Sequence, residues 1–214
     1  YEHLLPVNYY SLLVSREIFL TIELLPDKEF RKQLPLNDPT YGICNVQVEP
    51  EDLNLVKEDI KNYKKPIIAD VTDSLDHIRK VNAYSIPAQN TFTGDILRKI
   101  IFMMNQNFNY NIARLHEIIY CEYHIGDFYK MHMDIGSGQN SHRKISLSWT
   151  LNPNEFNGGK LLFYDPYSKN DCVNYPVDEL TILGFTPFTY HEVTPVTTGI
   201  RKSIVAWAEG SVWR

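Results

Sequence analysis

The sequence predicts a mainly β fold with packed helices: a sandwich or jelly roll whose helices lie mostly in the N-terminal half. Three observations carry that expectation. Apolar residues recur at helical spacing in two stretches before residue 110. From about Ile112 the pattern switches to period two, in short segments parted by Asn, Gly, Pro and Asp clusters. No internal repeat, low-complexity tract or Gly/Ser linker divides the 214 residues. The chain therefore reads as one domain over 1–214, with a helix-rich support region at 1–111 and a strand core at 112–210.

The first predicted helix begins at Pro50, a residue well suited to a first helical position, with Glu51 and Asp52 complementing the positive end of the helix dipole. Leu53, Val56 and Ile60 then recur on one face until Lys64-Lys65-Pro66 stops it. A second helix is expected to open after Thr93, with Ile96, Leu97, Ile100, Ile101 and Met104 as its apolar stripe. Residues 66–92 carry no clear period. Strands are expected near 114–123, 144–151, 159–164, 179–185 and 201–208. The clearest is Lys144 to Leu151, where Ile145, Leu147, Trp149 and Leu151 alternate with Ser146, Ser148 and Thr150. The small hydroxyl face either meets water or lines a cavity.

Composition excludes several classes. With 21 basic and 26 acidic side chains the net charge is −5, and no Lys/Arg-rich run is present, so nucleic acid and anionic membranes are not expected partners. No stretch approaches the 18 apolar residues of a membrane span. Cys44, Cys121 and Cys172 are odd in number and widely spaced, which suits free thiols in a reducing compartment, hence a cytoplasmic protein.

His132 and Asp134 stand two apart, so from the end of a strand both can reach one ion, and His191 on a neighbouring strand would complete one face of an octahedron. Two imidazoles and one carboxylate on one face leave three open positions, the arrangement of non-haem Fe(II) oxygenases. The pair alone fits an ordinary strand end equally well. Arg201 adds to it, because it shares a strand face with Ser203, Val205 and Trp207, where a guanidinium is costly to bury unless it meets an anion. The anion inferred is a dicarboxylate that chelates the iron at one end and pairs with Arg201 at the other.

The segment Tyr123-His-Ile-Gly-Asp-Phe-Tyr-Lys-Met-His-Met-Asp134 resembles the Tyr-x-x-Gly-x-x-Tyr-x-x-His-x-Asp stretch of 2-oxoglutarate/Fe(II)-dependent oxygenases, closest to their prolyl 4-hydroxylase-like branch. Gly158-Gly159-Lys160-Leu161 is similar to that family's Gly-Gly-x-Leu strand start. His191 through Val196, followed by Arg201-Lys202-Ser203, resembles its distal His and Arg-x-Ser elements. The resemblance covers roughly 112–210. It implies a double-stranded β-helix, the jelly-roll, cupin-like core, and a site in which His132, Asp134 and His191 bind Fe(II). It implies that Arg201 pairs with the distal carboxylate of 2-oxoglutarate, with Tyr123, Ser203 and Thr150 as further contacts to that cosubstrate. Thr150 is shorter than the tyrosine some relatives carry at its position. Tyr129 and Trp207 would line the substrate pocket, and Ser146, Ser148 and Thr150 would face the cosubstrate.

By the same resemblance the cofactors are Fe(II), 2-oxoglutarate and O2, and the reaction is hydroxylation of an unactivated C–H bond with release of succinate and CO2. The substrate expected first is a prolyl residue in a peptide or protein, met by loops near 66–92, 135–141 and 167–175. A free amino acid or other small molecule is the alternative. A cupin-like metalloprotein that does not use 2-oxoglutarate would have no use for Arg201, and a non-catalytic module on this fold would have none for a complete ligand set.

Overall fold

The computed structural model describes residues 22–24, 43–66, 77–165, 172–175 and 177–213. Two helices and fifteen strands are present among them. Helix α1 (Pro50–Tyr63) and helix α2 (Phe92–Phe108) match the expected stripes, and both bury them. The second helix opens earlier than the sequence suggested, because Thr91 rather than Thr93 caps it: the Thr91 hydroxyl accepts from the Gly94 N–H at 3.1 Å. Thr93 instead donates from its backbone N–H (2.6 Å) and its hydroxyl (2.8 Å) to the Asp59 carboxylate on α1, clamping the two helices together.

In chain order the strands are β1 (Ile22–Leu24), β2 (Cys44–Gln47), β3 (Lys65–Pro66), β4 (Arg79–Lys80), β5 (Asn82–Ile86), β6 (Ile112–Tyr123), β7 (Phe128–His132) and β8 (Arg143–Thr150). There follow β9 (Phe156–Gly158), β10 (Leu161–Tyr164), β11 (Cys172–Asn174), β12 (Thr181–Phe185), β13 (Tyr190–Val193), β14 (Val196–Gly199) and β15 (Arg201–Gly210). The larger sheet runs β1-β2-β12-β8-β15-β6-β5-β3, the smaller β11-β10-β13-β7-β4, and β14-β9 form a short ribbon. Every pairing is antiparallel. From β6 onward the chain alternates between sheets: β6 large, β7 small, β8 large, β10 and β11 small, β12 large, β13 small, β15 large. That winding is a jelly roll, and it extends the expected strand core with β7, β9, β11, β13 and β14, none of which was read as a separate strand.

The helices cover the outer face of the large sheet. Ile96, Leu97, Ile100 and Met104 of α2 and Leu53, Val56 and Ile60 of α1 share one core with Ile145, Leu147 and Trp149 of β8, as the alternation in β8 requires. Gly184 in β12 makes room for this contact, since a Cβ there would lie 2.3 Å from the Met104 sulfur. The inner faces of the two sheets meet in two small clusters. Phe163, Leu183, Phe185 and Val173 close one end, and Cys121, Tyr123, Val193 and Val196 close the other.

Candidate metal centre and its cavity

Between those clusters lies a cavity of about 580 Å³, within the range of small-molecule sites. His132 ends β7 and faces His191 across the β7–β13 pairing, with their rings 4.3 Å apart. Asp134 follows two residues later, fixed by its backbone N–H donating to Pro187 O at 3.0 Å. One ligand atom from each of the three lies within 4.8 Å of the others: His132 Nε2 is 3.6 Å from Asp134 Oδ1, and His191 Nε2 is 3.7 Å from Asp134 Oδ2.

The remaining ring nitrogens are already committed. His132 Nδ1 meets Lys130 O at 2.8 Å and His191 Nδ1 meets Thr189 O at 2.9 Å, so both rings present Nε2 to the same point. Burial pushes the Asp134 carboxyl up, but His191, His132 and Ser146 pull it further down, and it lies well below the usual carboxylate range. Burial pulls the His191 imidazole down as well, which keeps it neutral. An ionised Asp134 and a neutral His191 are protonation states a cation needs, and with the Nε2 of His132 turned to the same point the residues present fit a divalent ion with open positions.

Arg201 enters the same cavity from the large sheet. It is 2% exposed, and among the described residues no carboxylate pairs with it. Its Nη1 donates to Ser203 Oγ at 2.6 Å and its Nη2 to Thr150 Oγ1 at 3.2 Å. Tyr123, directly across the β15–β6 pairing, puts its ring centroid 5.3 Å from the guanidinium carbon. Burial lowers the Arg201 pKa, yet a guanidinium starts so high that it stays charged. A buried cation held by neutral groups alone is stable only in a fold that gives it an anion to meet.

The paired glycines have their reason here. Gly159 adopts φ +53°, and a Cβ on it would press on the Arg201 side chain at 3.0 Å, so the turn into β10 leaves that side chain its lane. Tyr129 stacks on the His132 ring with centroids 3.6 Å apart and, like Trp207, lines the cavity. Ser148 lines it too, while Ser146 and Thr150 serve Asp134 and Arg201, so the hydroxyl face of β8 points inward.

Two arginines in the cavity escaped the sequence reading. Arg143 lies flat on Trp207 at 3.8 Å and donates to Asp134 O at 3.1 Å. Arg79, on β4, pairs across the strands with Tyr129. Arg143 begins a strand in no recognisable pattern, and Arg79 falls in the unpatterned 66–92 stretch. Within the stretches expected to contact substrate, residues 67–76 and 167–171 lie outside the described residues.

Residues 118–209 match the 2OG-Fe(II) oxygenase superfamily. The chain is similar to a PKHD-type hydroxylase of Gloeothece citriformis, at 28% identity over 46% of this chain and 45% of the relative. The matched part thus spans under half the length of that relative. Among solved structures it resembles a Pseudomonas putida prolyl-4-hydroxylase (TM-score 0.60, 18% identity, 80% of this chain and 94% of the other). It also resembles a Trichoplax adhaerens prolyl hydroxylase solved in complex with a peptide fragment (TM-score 0.62, 20% identity, 85% and 90%). Both likenesses support the jelly-roll fold. Residues 118–209, under half of the chain, thus resemble the 2OG-Fe(II) oxygenase superfamily, and the likeness to the two prolyl hydroxylase structures is one of fold.

Proposed function

We propose that this chain is a non-haem Fe(II)/2-oxoglutarate-dependent dioxygenase that hydroxylates an unactivated C–H bond, with a prolyl residue of a peptide or protein as substrate. The observation that carries it is the pairing, in one cavity, of a complete His132–Asp134–His191 set with the buried Arg201, which meets no carboxylate of the protein among the described residues. The metal set alone would serve a cupin-like protein; the arginine is what calls for a dicarboxylate.

When bound, iron with 2-oxoglutarate and O2 supplies the oxidising chemistry that turns C–H into C–OH and releases succinate and CO2. His132, Asp134 and His191 hold the metal through Nε2, a carboxylate oxygen and Nε2. Arg201 binds and orients the far carboxylate of the cosubstrate, with Ser203 and Thr150 fixing the plane of the guanidinium and Tyr123 walling that end. Tyr129 and Trp207 shape the substrate side, and the Phe163–Phe185 and Val193–Val196 clusters keep water from the ends of the cavity.

The prolyl assignment is supported by two likenesses: to a Trichoplax adhaerens prolyl hydroxylase captured with a peptide, and to a Pseudomonas putida prolyl-4-hydroxylase. The whole of 1–214 is read as one oxygenase domain. Its buried free thiols Cys44 and Cys121 accord with a reducing, cytoplasmic setting.

The test is anaerobic titration of Fe(II)-loaded protein with 2-oxoglutarate, following the visible charge-transfer band of the chelate. A saturable band is expected, absent in His132→Ala and needing at least about tenfold more 2-oxoglutarate in Arg201→Ala, the loss of one charge-assisted pair. A folded, iron-loaded wild type without a band would favour the cupin-like reading.

A further inference from the structure

The charges of the cavity do not cancel once the site is filled. Two positive charges of Fe(II) and the guanidinium of Arg201 balance Asp134 and the two carboxylates of 2-oxoglutarate. Of the remaining charged groups lining the cavity, Lys80 is paired with Asp127 at 3.1 Å and Arg143 faces Glu117 at 3.8 Å. Arg79 is left over. Among the described residues no carboxylate pairs with it, although it is partly buried.

Its position is defined. Arg79 on β4 stands directly opposite Tyr129 on β7, and cross-strand partners place their side chains on one face of a sheet. The guanidinium carbon lies 5.8 Å from the centre of the Tyr129 ring, with its N–H groups within reach of the phenol oxygen. That ring in turn stacks on the metal ligand His132 at 3.6 Å. The Tyr129 phenol, a hydrogen-bond donor by its chemistry, stands beside the cation. A planar cation and a neutral O–H donor, side by side on the wall next to the metal, form a receptor for a planar anion.

We propose that Arg79 and Tyr129 form a carboxylate subsite, so that the substrate carries an anionic carboxylate close to the carbon that is oxidised. That carboxylate is the terminal group of a free amino acid or of a peptide ending at the target residue, or the side chain of an acidic residue next to it. The proposal rests on the oxygenase reading and narrows its substrate class. An uncharged mid-chain segment would leave Arg79 with no anion among the described residues.

The experiment uses the full chain loaded anaerobically with Fe(II) and 2-oxoglutarate, and measures probe binding by calorimetry and by the shift of the visible chelate band. Three probes separate the sources: N-acetyl-L-proline, its uncharged N-methylamide, and N-acetyl-L-prolyl-L-aspartate α-amide, whose single charge sits on the neighbouring side chain. One of the two charged probes is expected to bind at least about tenfold more tightly than the N-methylamide, the gain of one charge-assisted pair. Which of the two does so identifies the source. In Arg79→Gln the preference should fall to about twofold or less while the band with 2-oxoglutarate alone persists, and Arg79→Lys should restore part of the preference. Equal binding of charged and uncharged probes, binding of none of them, or an undiminished preference in Arg79→Gln would overturn the subsite. Absence of the chelate band in wild type would instead remove the oxygenase reading on which it rests.

Discussion

Arg201 is a charge kept in a place where charge is costly. Replacing a buried ion with an apolar residue of similar size often leaves stability unchanged or raises it. Arg201→Met is therefore expected to melt within a few degrees of wild type in the absence of ligands, to keep the upward shift given by Mn(II) alone, and to lose the further shift that 2-oxoglutarate adds in wild type; thermal melts of both proteins check this. Glu122 presents the opposite case. Burial raises its pKa, but the hydrogen bonds from Tyr120 and Tyr84 and the Lys64 ammonium outweigh burial, so the net shift is downward. A carboxyl whose folded pKa is depressed stabilises the fold above its unfolded value, near 4.3, and loses that contribution as pH falls through the folded one. Wild type should then lose stability faster than Glu122→Gln on acidification below about pH 4.5; denaturant midpoints measured between pH 6 and 3 would show it. At this scale His132, Asp134, His191 and Arg201 were legible because their spacing and strand parity are themselves the signal. Arg143 and Arg79 were not, since each becomes part of the cavity only through long-range pairing, of β8 with β15 and of β4 with β7.

Elements of eight or more residues were readable, and of the shorter described strands only β10 and β12 were. Helix α1, helix α2, β6, β8 and β15 each display several repeats of their period, and all five appear near the expected bounds. β4 has two residues and β9 and β11 have three, too few for any period to emerge, and β7 and β13 have one partly buried face without alternation the eye can follow. Such strands exist because their neighbours supply the hydrogen bonds. The clamp between the helices has a measurable consequence. Asp59→Ala removes the acceptor for both Thr93 donors, and the loss expected is about 1–3 kcal/mol in urea unfolding, the cost of leaving buried donors unmet. Gly184→Ala should cost about 1–3 kcal/mol, because the added methyl must displace the Met104 sulfur from a packed core. If either variant unfolded at the wild-type midpoint, the corresponding contact would not be contributing.

For the molecule as a whole, the metal ligands lie on or just beyond two paired strands of the smaller sheet, whereas the outer core that the helices cover belongs to the larger one. Anything that binds the folded state alone raises its stability by mass action, about 2.7 kcal/mol at a hundredfold excess over Kd. Mn(II) is accordingly expected to raise the wild-type Tm by several degrees and to leave His132→Ala unmoved, as differential scanning calorimetry would register. The two helices before residue 110 and the long strands after residue 112 were apparent from periodicity. The alternation between sheets was not, because it depends on which strands pair, and pairing is settled by contacts far apart in the sequence.

His132 and His191 belong to the smaller sheet and Arg201 to the larger, so the two proposed grips on the cosubstrate sit on opposite walls of the roll. A keto diacid held at both ends is then a strut cut to the width between the walls. Selection of the five-carbon acid over its four- and six-carbon homologues is in that case a property of how the sheets are spaced, in part by Phe163 and Val196, side chains outside the lining of the cavity.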